Sequence, residues 1–212
     1  EKCFKKIRCD LLLSLPISGN FPEAHAFQTS LALQCFTNEY IYSQTNEENI
    51  AIEALSLSVN EMISRGNQPN SQTVLCLASY KALSEYSWCN SLVVNDHIEE
   101  ILTRQVIEPG EEKIFKQDIP AFQKINNKIS SKVRNQYEKN PYPRWVTTGL
   151  HPSPRSILKF ANEKKLKLCD LEITRVKKPE ILIAGCGTGQ HSLSTAAQFL
   201  DAKVLAVDLS LS

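Results

Sequence analysis

The sequence contains no long hydrophobic run. A membrane-spanning helix needs about 18 or more consecutive apolar residues, and the apolar runs here are much shorter. No signal peptide is recognisable either. With 42% hydrophobic and 22% charged residues, the composition is that of an ordinary globular protein. We therefore expect no membrane partner.

Paired cysteines are also missing. The seven cysteines are odd in number and scattered, none belongs to a Cys-x-x-Cys pair, and no histidine lies at a metal-ligand spacing from any of them. A disulfide framework or a zinc site would need such spacing. We expect buried free thiols, the usual state in a reducing cytoplasm, and no bound metal.

Methionine occurs once, as Met62, and the chain begins at Glu1 and ends at Ser212, directly after a predicted strand. We expect from this a piece of a longer protein, truncated at both ends. Its 212 residues are enough for one large domain or two small ones.

Acidic and basic residues are distributed unevenly. Residues 1–112 contain 7 Lys+Arg and 15 Asp+Glu, residues 113–178 contain 16 and 5, and residues 179–212 contain 1 and 3. The change of sign favours a boundary between Glu112 and Ser131. The basic segment suits an anionic partner such as a nucleic acid. The simpler interpretations are that it covers the acidic first segment or is a solvated face, so nucleic acid is not the favoured partner.

The acidic segment has the spacing of helices. Apolar residues share a helical face from Glu23 to about Ser43. Thr45 and Glu48 have capping-box spacing and predict the start of a second helix, which Gly66 ends.

Two further helices complete this prediction. Ser71 is predicted to cap the third, and the fourth is expected to run from His97 to Val106, where Pro109-Gly110 breaks it. No alternating strand pattern and no repeat of about 34 residues is visible here, so we expect an all-helical domain. His25 and His97 have no partner at a useful spacing, which favours structural roles.

A glycine-rich loop lies between two strand patterns in the last segment. Ile181 to Ala184 form a short apolar run, glycines follow at three alternate positions, and helical spacing resumes from His191 to Leu200. Lys203 to Asp208 then have the pattern of a second strand that ends in an acid. We expect both strands to be buried and parallel, with the loop at their carboxyl ends.

This order of elements is typical of a nucleoside-cofactor site. A loop without Cβ atoms lets a cofactor approach the strand ends closely. A carboxylate after the second strand can accept hydrogen bonds from ribose hydroxyls. Asp208 lies 23 residues after Gly185, close to the roughly 20 residues expected of a ribose-binding acid.

Three cofactor classes compete for this loop. A P-loop is excluded, because no lysine follows the glycines. A dinucleotide loop requires Gly-x-Gly-x-x-Gly/Ala, and Gln190 or Ser192 occupies the place of its third small residue. Gly-Cys-Gly-Thr-Gly instead resembles the first motif of the class I S-adenosylmethionine-dependent methyltransferases.

The resemblance implies S-adenosylmethionine as the cofactor. The residues that it places at the cofactor are Ala184, Gly185, Cys186, Gly187, Gly189, Gln190, Asp208 and Leu209. Ile183 departs from the pattern, because these enzymes usually have an acid there. Either the methionine end is oriented differently or the affinity is weaker. Cys186 is expected to be a small packing residue rather than a nucleophile, although His191 is on the next helix.

A second motif precedes this domain. Residues 136–145 resemble the Gln-Tyr-Glu-x-Asn-Pro-Tyr-Pro-Arg-Trp signature of a bacterial family that couples tetratricopeptide repeats to a class I methyltransferase domain. Residues 35–40 and 104–109 are similar to the helical region of that family. The residues interpreted as cover for the cofactor or as walls of an acceptor pocket are Tyr137, Tyr142, Arg144 and Trp145. The alternative is a structural linker packed on the domain.

Together these patterns predict the organisation of the chain. We expect a mainly α N-terminal domain over residues 1–125 and a basic linker or lid segment over 126–178. Residues 179–212 are expected to be the truncated β-α-β start of a Rossmann-like α/β methyltransferase domain.

The expected function is that of a methyltransferase fragment. The methyl acceptor, a small molecule or a protein, is left open, and no catalytic base can be assigned. We expect weak or no cofactor binding by the fragment, no turnover, and either a homodimer through exposed strand edges or cover of those edges by its own helices. The rival hypothesis is a helical protein-interaction module whose α/β part has only a structural role.

Overall fold

The computed structural model describes residues 2–14, 22–122, 126–139, 141, 144–150 and 153–211. The protein is mainly helical and has a small parallel sheet of two strands. It divides into two compact units, Glu1–Pro120 and Ala121–Ser212. The finer division into residues 1–125, 126–178 and 179–212 stays a prediction.

The first unit is built from helices. Its α-helices are α1 Lys2–Ser14, α2 Pro22–Thr37, α3 Asn46–Ser64, α4 Ser71–Ala78, α5 Glu99–Leu102 and α6 Glu108–Asp118. Short 3₁₀ turns at Leu83–Glu85 and Cys89–Ser91 follow α4, and a π-helical turn at Thr103–Ile107 joins α5 to α6. The described residues of this unit contain no strand.

The start of α3 confirms the predicted capping box. The Thr45 hydroxyl accepts a hydrogen bond from the Glu48 backbone N–H at 3.1 Å, and a Glu48 carboxylate oxygen accepts one from the Thr45 N–H at 2.8 Å. The cap of α4 is Asn70 rather than the predicted Ser71. The Asn70 side chain accepts the Thr73 N–H at 2.8 Å, which satisfies a donor that α4 itself leaves unpaired.

The predicted break at Pro109-Gly110 is wrong. The helical segment begins at Glu99 and continues through the π-helical turn into α6, with Pro109 in the first turn of α6. Proline inside an α-helix removes a hydrogen bond and clashes with the carbonyl four residues earlier. The wider π turn before Pro109 changes the spacing of those carbonyls, and the chain stays helical as far as Asp118.

The centre of the first unit is α4. Six of its eight residues are buried, and its last five are apolar, which is the pattern of a central helix. Burial of each large apolar side chain stabilises the fold by about 1.5–3 kcal/mol. The core around α4 includes Ala32, Val59, Leu83, Tyr86, Trp88, Ile101 and Leu102.

Helix α1, which the sequence patterns did not predict, is attached through a buried charge. Arg8 and Glu48 are 1% and 2% exposed, and an Arg8 guanidinium nitrogen lies 3.7 Å from a Glu48 carboxylate oxygen. The Tyr80 hydroxyl donates to the same oxygen at 2.9 Å. The guanidinium carbon lies 4.1 Å from the centre of the Tyr80 ring, so Arg8 links α1 to α3 and to the turn that follows α4.

Two histidines of the first unit contact each other. The rings of His25, on α2, and His97, before α5, have centroids 4.2 Å apart. His25 is 4% exposed, and neither of its ring nitrogens has a hydrogen-bond partner among the described residues. Burial, followed by the neighbouring His97, lowers the pKa of His25. The sequence spacing gave no sign of this contact.

The cysteines are free thiols, but not all of them are buried. Cys35, Cys76 and Cys89 lie in the interior, whereas Cys3 and Cys169 are exposed. The described residues contain no group of three or more histidine, cysteine, aspartate or glutamate side chains placed to hold a metal. None of the described helices is both long and apolar enough to span a membrane.

The second unit combines helices with the parallel sheet. Its elements are α7 Lys128–Lys139, α8 Ile157–Glu163, a 3₁₀ turn Glu172–Arg175, β1 Glu180–Ala184, α9 Gln190–Gln198 and β2 Lys203–Val207. The strands pair in parallel, with Glu180 opposite Lys203 and Ala184 opposite Val207. The predicted strand, helix and strand are confirmed at these positions.

The prediction that both strands are buried is wrong. Ile183 is the buried residue of β1, and no residue of β2 is buried. Leu182 and Leu205 are paired neighbours, and each is 64% exposed. Alternate side chains point to opposite faces of a sheet. The described elements therefore cover Ile183 on one face and leave Leu182 and Leu205, on the other face, accessible.

Candidate cofactor-binding site

The loop between β1 and α9 has a backbone that requires glycine. Gly185, Gly187 and Gly189 have φ angles of +79°, +53° and +87°, in a region that residues with a Cβ rarely adopt. A Cβ built on any of the three would meet no atom within 4 Å. The backbone conformation, rather than a lack of space within the chain, therefore requires glycine, and the surface beside the loop is open to a ligand.

Strand β2 holds the strand side of this loop. The Val207 carbonyl accepts a hydrogen bond from the Gly185 N–H at 2.8 Å and one from the Cys186 N–H at 3.2 Å. The Gly187 N–H donates to Asp208 Oδ2 at 2.8 Å. Three consecutive N–H groups of the loop are thus fixed to the end of β2.

Asp208 has a second backbone partner. Its Oδ1 accepts the Ser210 N–H at 3.0 Å, and the side chain is exposed. A carboxylate has about four acceptor positions on its two oxygens. The two backbone hydrogen bonds therefore orient Asp208 and leave it able to accept further hydrogen bonds.

A cleft of about 620 Å³ lies beside the loop. This volume is within the range of small-molecule sites, about 300–1,000 Å³. Asp208 contributes the charged side chain of its lining, and most of the other walls are apolar or backbone. The lining residues are Val133, Tyr137, Gly185, Gly187, Thr188, Val207, Asp208, Leu209 and Ser210.

Helix α7 contributes an apolar wall to the cleft. Val133 and Tyr137 are one turn apart on the same face of α7, and both line the cleft. Tyr137 is 50% exposed, so its ring is accessible to a ligand. Arg134 and Glu138, the next positions along, form an ion pair at 3.7 Å.

Trp145 contacts the loop without lining the cleft. Its indole N–H donates a hydrogen bond to the Thr188 carbonyl at 3.2 Å, across 43 positions of sequence. Arg144 is half-buried and is not part of the lining either. Tyr142 lies outside the described residues. Of the three proposed lid residues that the structure describes, Tyr137 is therefore the one placed at the cleft.

The structure brings half of the predicted cofactor residues to the cleft. Those that line it are Gly185, Gly187, Asp208 and Leu209. Those that lie in or next to the loop without lining the cleft are Ala184, Cys186, Gly189 and Gln190. The lining residues that the sequence patterns did not indicate are Val133, Thr188, Val207 and Ser210. For Val133 a signal was available, since it precedes Tyr137 by one helical turn.

The Cys186 thiol is half-buried. Burial, followed by the charge of Asp208, raises the pKa of this thiol. A raised pKa disfavours the thiolate that a cysteine nucleophile needs. The sulfur lies 3.7 Å from the Gly187 carbonyl oxygen, an arrangement that suits a packing role within the loop.

Comparisons of the chain with models of protein families, with curated proteins and with solved structures find no match.

Proposed function

We propose that the cleft beside the glycine loop binds the adenosyl part of S-adenosylmethionine, and that the chain is part of a methyltransferase. The observation that carries this proposal is the placement of Asp208, which faces a cleft of about 620 Å³ and is oriented by the loop itself. In this proposal β1, α9 and β2 are the first β-α-β unit of a Rossmann-like domain.

The hydrogen bonds of the loop favour a cofactor without a phosphate at this point. Phosphate-binding loops direct several backbone N–H groups at the anion. Here the N–H groups of Gly185, Cys186 and Gly187 donate to the end of β2, and that of Gly189 donates to the Cys186 carbonyl at 3.1 Å. These four donors are engaged within the protein, so they are not available to a phosphate.

The side chains around the cleft suit a nucleoside. The carboxylate of Asp208 retains acceptor positions for the two ribose hydroxyls. Tyr137 and Val133 supply an aromatic and an aliphatic surface for a flat, apolar base. The position that would usually provide an acid is occupied by Ile183, which has no carboxylate and is 8% exposed. We therefore expect specific but weak binding.

The cofactor, when bound, supplies a methyl group on a sulfonium, which a nucleophilic acceptor attacks directly. The residues of this chain bind and orient the adenosyl part. Their contribution to catalysis is therefore positioning and electrostatics, which provide most of the catalysis in such methyl transfers. The acceptor, a small molecule or a protein, stays open.

Nuclear magnetic resonance suits the test, because weak binding is expected. The ¹⁵N-labelled chain is titrated with S-adenosylmethionine and S-adenosylhomocysteine, and the amide shifts of Gly185, Gly187 and Asp208 are followed. We expect saturable shifts at these positions. Gly187→Ala places a Cβ at a φ of +53° and is expected to abolish them, whereas Gly110→Ala in α6 leaves them intact.

NADH and ATP are the comparison ligands. Equal shifts with either one would contradict a preference for the adenosyl cofactor. If millimolar S-adenosylmethionine shifts none of the loop amides, the proposal fails, and the helical interaction module becomes the better hypothesis.

A further inference from the structure

Two different parts of the chain form hydrogen bonds with the glycine loop, one on each side of it. On the strand side, three N–H groups are bonded to the end of β2. Thr188, between two glycines with positive φ, presents its carbonyl to the indole of Trp145 at 3.2 Å. Trp145 comes from a segment that precedes β1 by more than thirty residues. The loop therefore depends on a residue outside the β-α-β unit.

We propose that Trp145 is a positioning residue, which fixes Thr188 and thereby the cleft side of the loop in the form that receives the cofactor. This inference rests on the proposed function in so far as it concerns the cofactor. Its structural part, that Trp145 restrains the loop, can be tested in the absence of any ligand.

The glycines give the cleft side of the loop conformational freedom. Gly187 and Gly189 flank Thr188, and glycine loses more conformational freedom on ordering than any other residue. Within the loop the Gly189 N–H donates to the Cys186 carbonyl, and the Trp145 bond to the Thr188 carbonyl adds a restraint from outside the loop. The Trp145 indole is a rigid donor on a large side chain, so it can provide that restraint.

Trp145 and Tyr137 accordingly have different roles, although both belong to the segment before the sheet. Tyr137 lines the cleft and is half exposed, so it is placed to contact a ligand. Trp145 is half-buried, lies outside the lining and acts through Thr188. Removal of the Tyr137 ring should affect ligand contact alone, whereas removal of the indole donor should affect the loop with or without a ligand.

The test is Trp145→Phe, which retains an aromatic ring and removes the donor. In the free protein, we expect the Thr188 and Gly189 amides to exchange with solvent about 3- to 10-fold faster, the factor that one ordinary hydrogen bond supplies. The dissociation constant for S-adenosylmethionine should rise by a similar factor, and the unfolding midpoint should fall by no more than the loss of one hydrogen bond accounts for. The matched control is Trp88→Phe in the first unit, which removes the indole donor to Ser56 and should leave the loop amides unchanged.

A measurement on the wild-type chain guards against a variant that does not fold. The indole proton of Trp145 should exchange more slowly than that of a free indole, because it is hydrogen-bonded; exchange at the free rate would overturn the inference. Unchanged loop exchange in a folded Trp145→Phe protein would overturn it as well. Absence of cofactor binding by the wild-type chain would overturn the proposed function alone, since the exchange measurements need no cofactor.

Discussion

The Asp208 carboxylate accepts a hydrogen bond from the Gly187 backbone N–H at 2.8 Å. This contact joins the residue that follows β2 to the middle of the loop that follows β1. In a parallel pair, both strands end at the same edge of the sheet, so the two residues meet although they are 21 positions apart. Asp208 thus shapes the loop as well as facing the cleft.

Asp208→Asn tests this double role. An amide offers one acceptor oxygen and one donor nitrogen, so the N–H of either Gly187 or Ser210 would meet a donor. We expect faster amide exchange at Gly187 or at Ser210 and binding of S-adenosylmethionine about 10-fold weaker, which corresponds to about 1.4 kcal/mol. Exchange is measured by nuclear magnetic resonance, and affinity by titration.

Asp201→Asn is the matched control for this substitution. Asp201 is exposed and has a φ of +49°, a conformation that asparagine also tolerates. The substitution removes the same charge from the second unit. It should leave the amide exchange and the affinity for S-adenosylmethionine unchanged. Equal effects of the two substitutions would mean that net charge, rather than the contact with Gly187, governs the loop.

The local patterns of the sequence predicted the loop and its flanking elements well. Apolar runs of strand length, three alternate glycines and the distance to Asp208 are all properties of nearby residues, and the structure has β1, α9 and β2 where they indicate. The burial of the strands could not be predicted in the same way. An apolar strand is buried only if another element covers it, and the exposed Leu182 and Leu205 lack such cover among the described residues.

Contacts between distant segments account for the other differences. Helix α1 is attached through Arg8, which a hydrophobic pattern treats as an exposed residue, yet it is 1% exposed and paired with Glu48. The Trp145 indole reaches Thr188 across 43 positions. In both contacts, the residues near one partner in the sequence give no indication of the other partner. Such contacts can therefore be seen only in the folded chain.

Glu48→Gln should strongly destabilise the first unit. The substitution leaves the Arg8 guanidinium buried without a counter-charge, and breaking a buried ion pair in this way costs about 3–5 kcal/mol. Urea denaturation followed by circular dichroism measures the loss. Glu47→Gln, at the exposed neighbouring position in the same first turn of α3, is the control and should cost less than about 1 kcal/mol. A loss as small as that of the control would mean that Arg8 reaches solvent when its partner is removed.

Acidification should destabilise the protein through His25. Its pKa is lowered in the folded state by burial and by His97, whereas the unfolded chain has an ordinary value of about 6.5. At pH values between the lowered pKa of the folded state and the ordinary pKa of the unfolded chain, the unfolded state therefore binds more protons. Linkage makes the free energy of unfolding fall as the pH drops below about 6.5, by at most about 1.4 kcal/mol per pH unit.

His25→Gln removes this titration. The free energy of unfolding, measured by urea denaturation between pH 7 and pH 5, should vary less with pH in the variant than in the wild type. Identical slopes would exclude His25 as the source.

Glu48 contributes at more acidic pH. Burial raises the pKa of its carboxyl, but hydrogen bonds from Thr45 and Tyr80 and the charge of Arg8 outweigh burial and lower that pKa. Its stabilisation is lost only as the pH falls below its ordinary value of about 4.5.

Gly110→Ala should stabilise the protein, because the helix continues through this position. Gly110 is exposed within α6, its φ is not positive, and an added Cβ meets no atom within 4 Å. Alanine in an exposed helix interior is favoured over glycine by about 0.8–1 kcal/mol, so thermal unfolding should shift upward by a few degrees. Gly66→Ala, at a φ of +79° after α3, should have the opposite effect, since alanine is strained there. If Pro109-Gly110 instead ended the helix, the substitution at Gly110 would bring no gain.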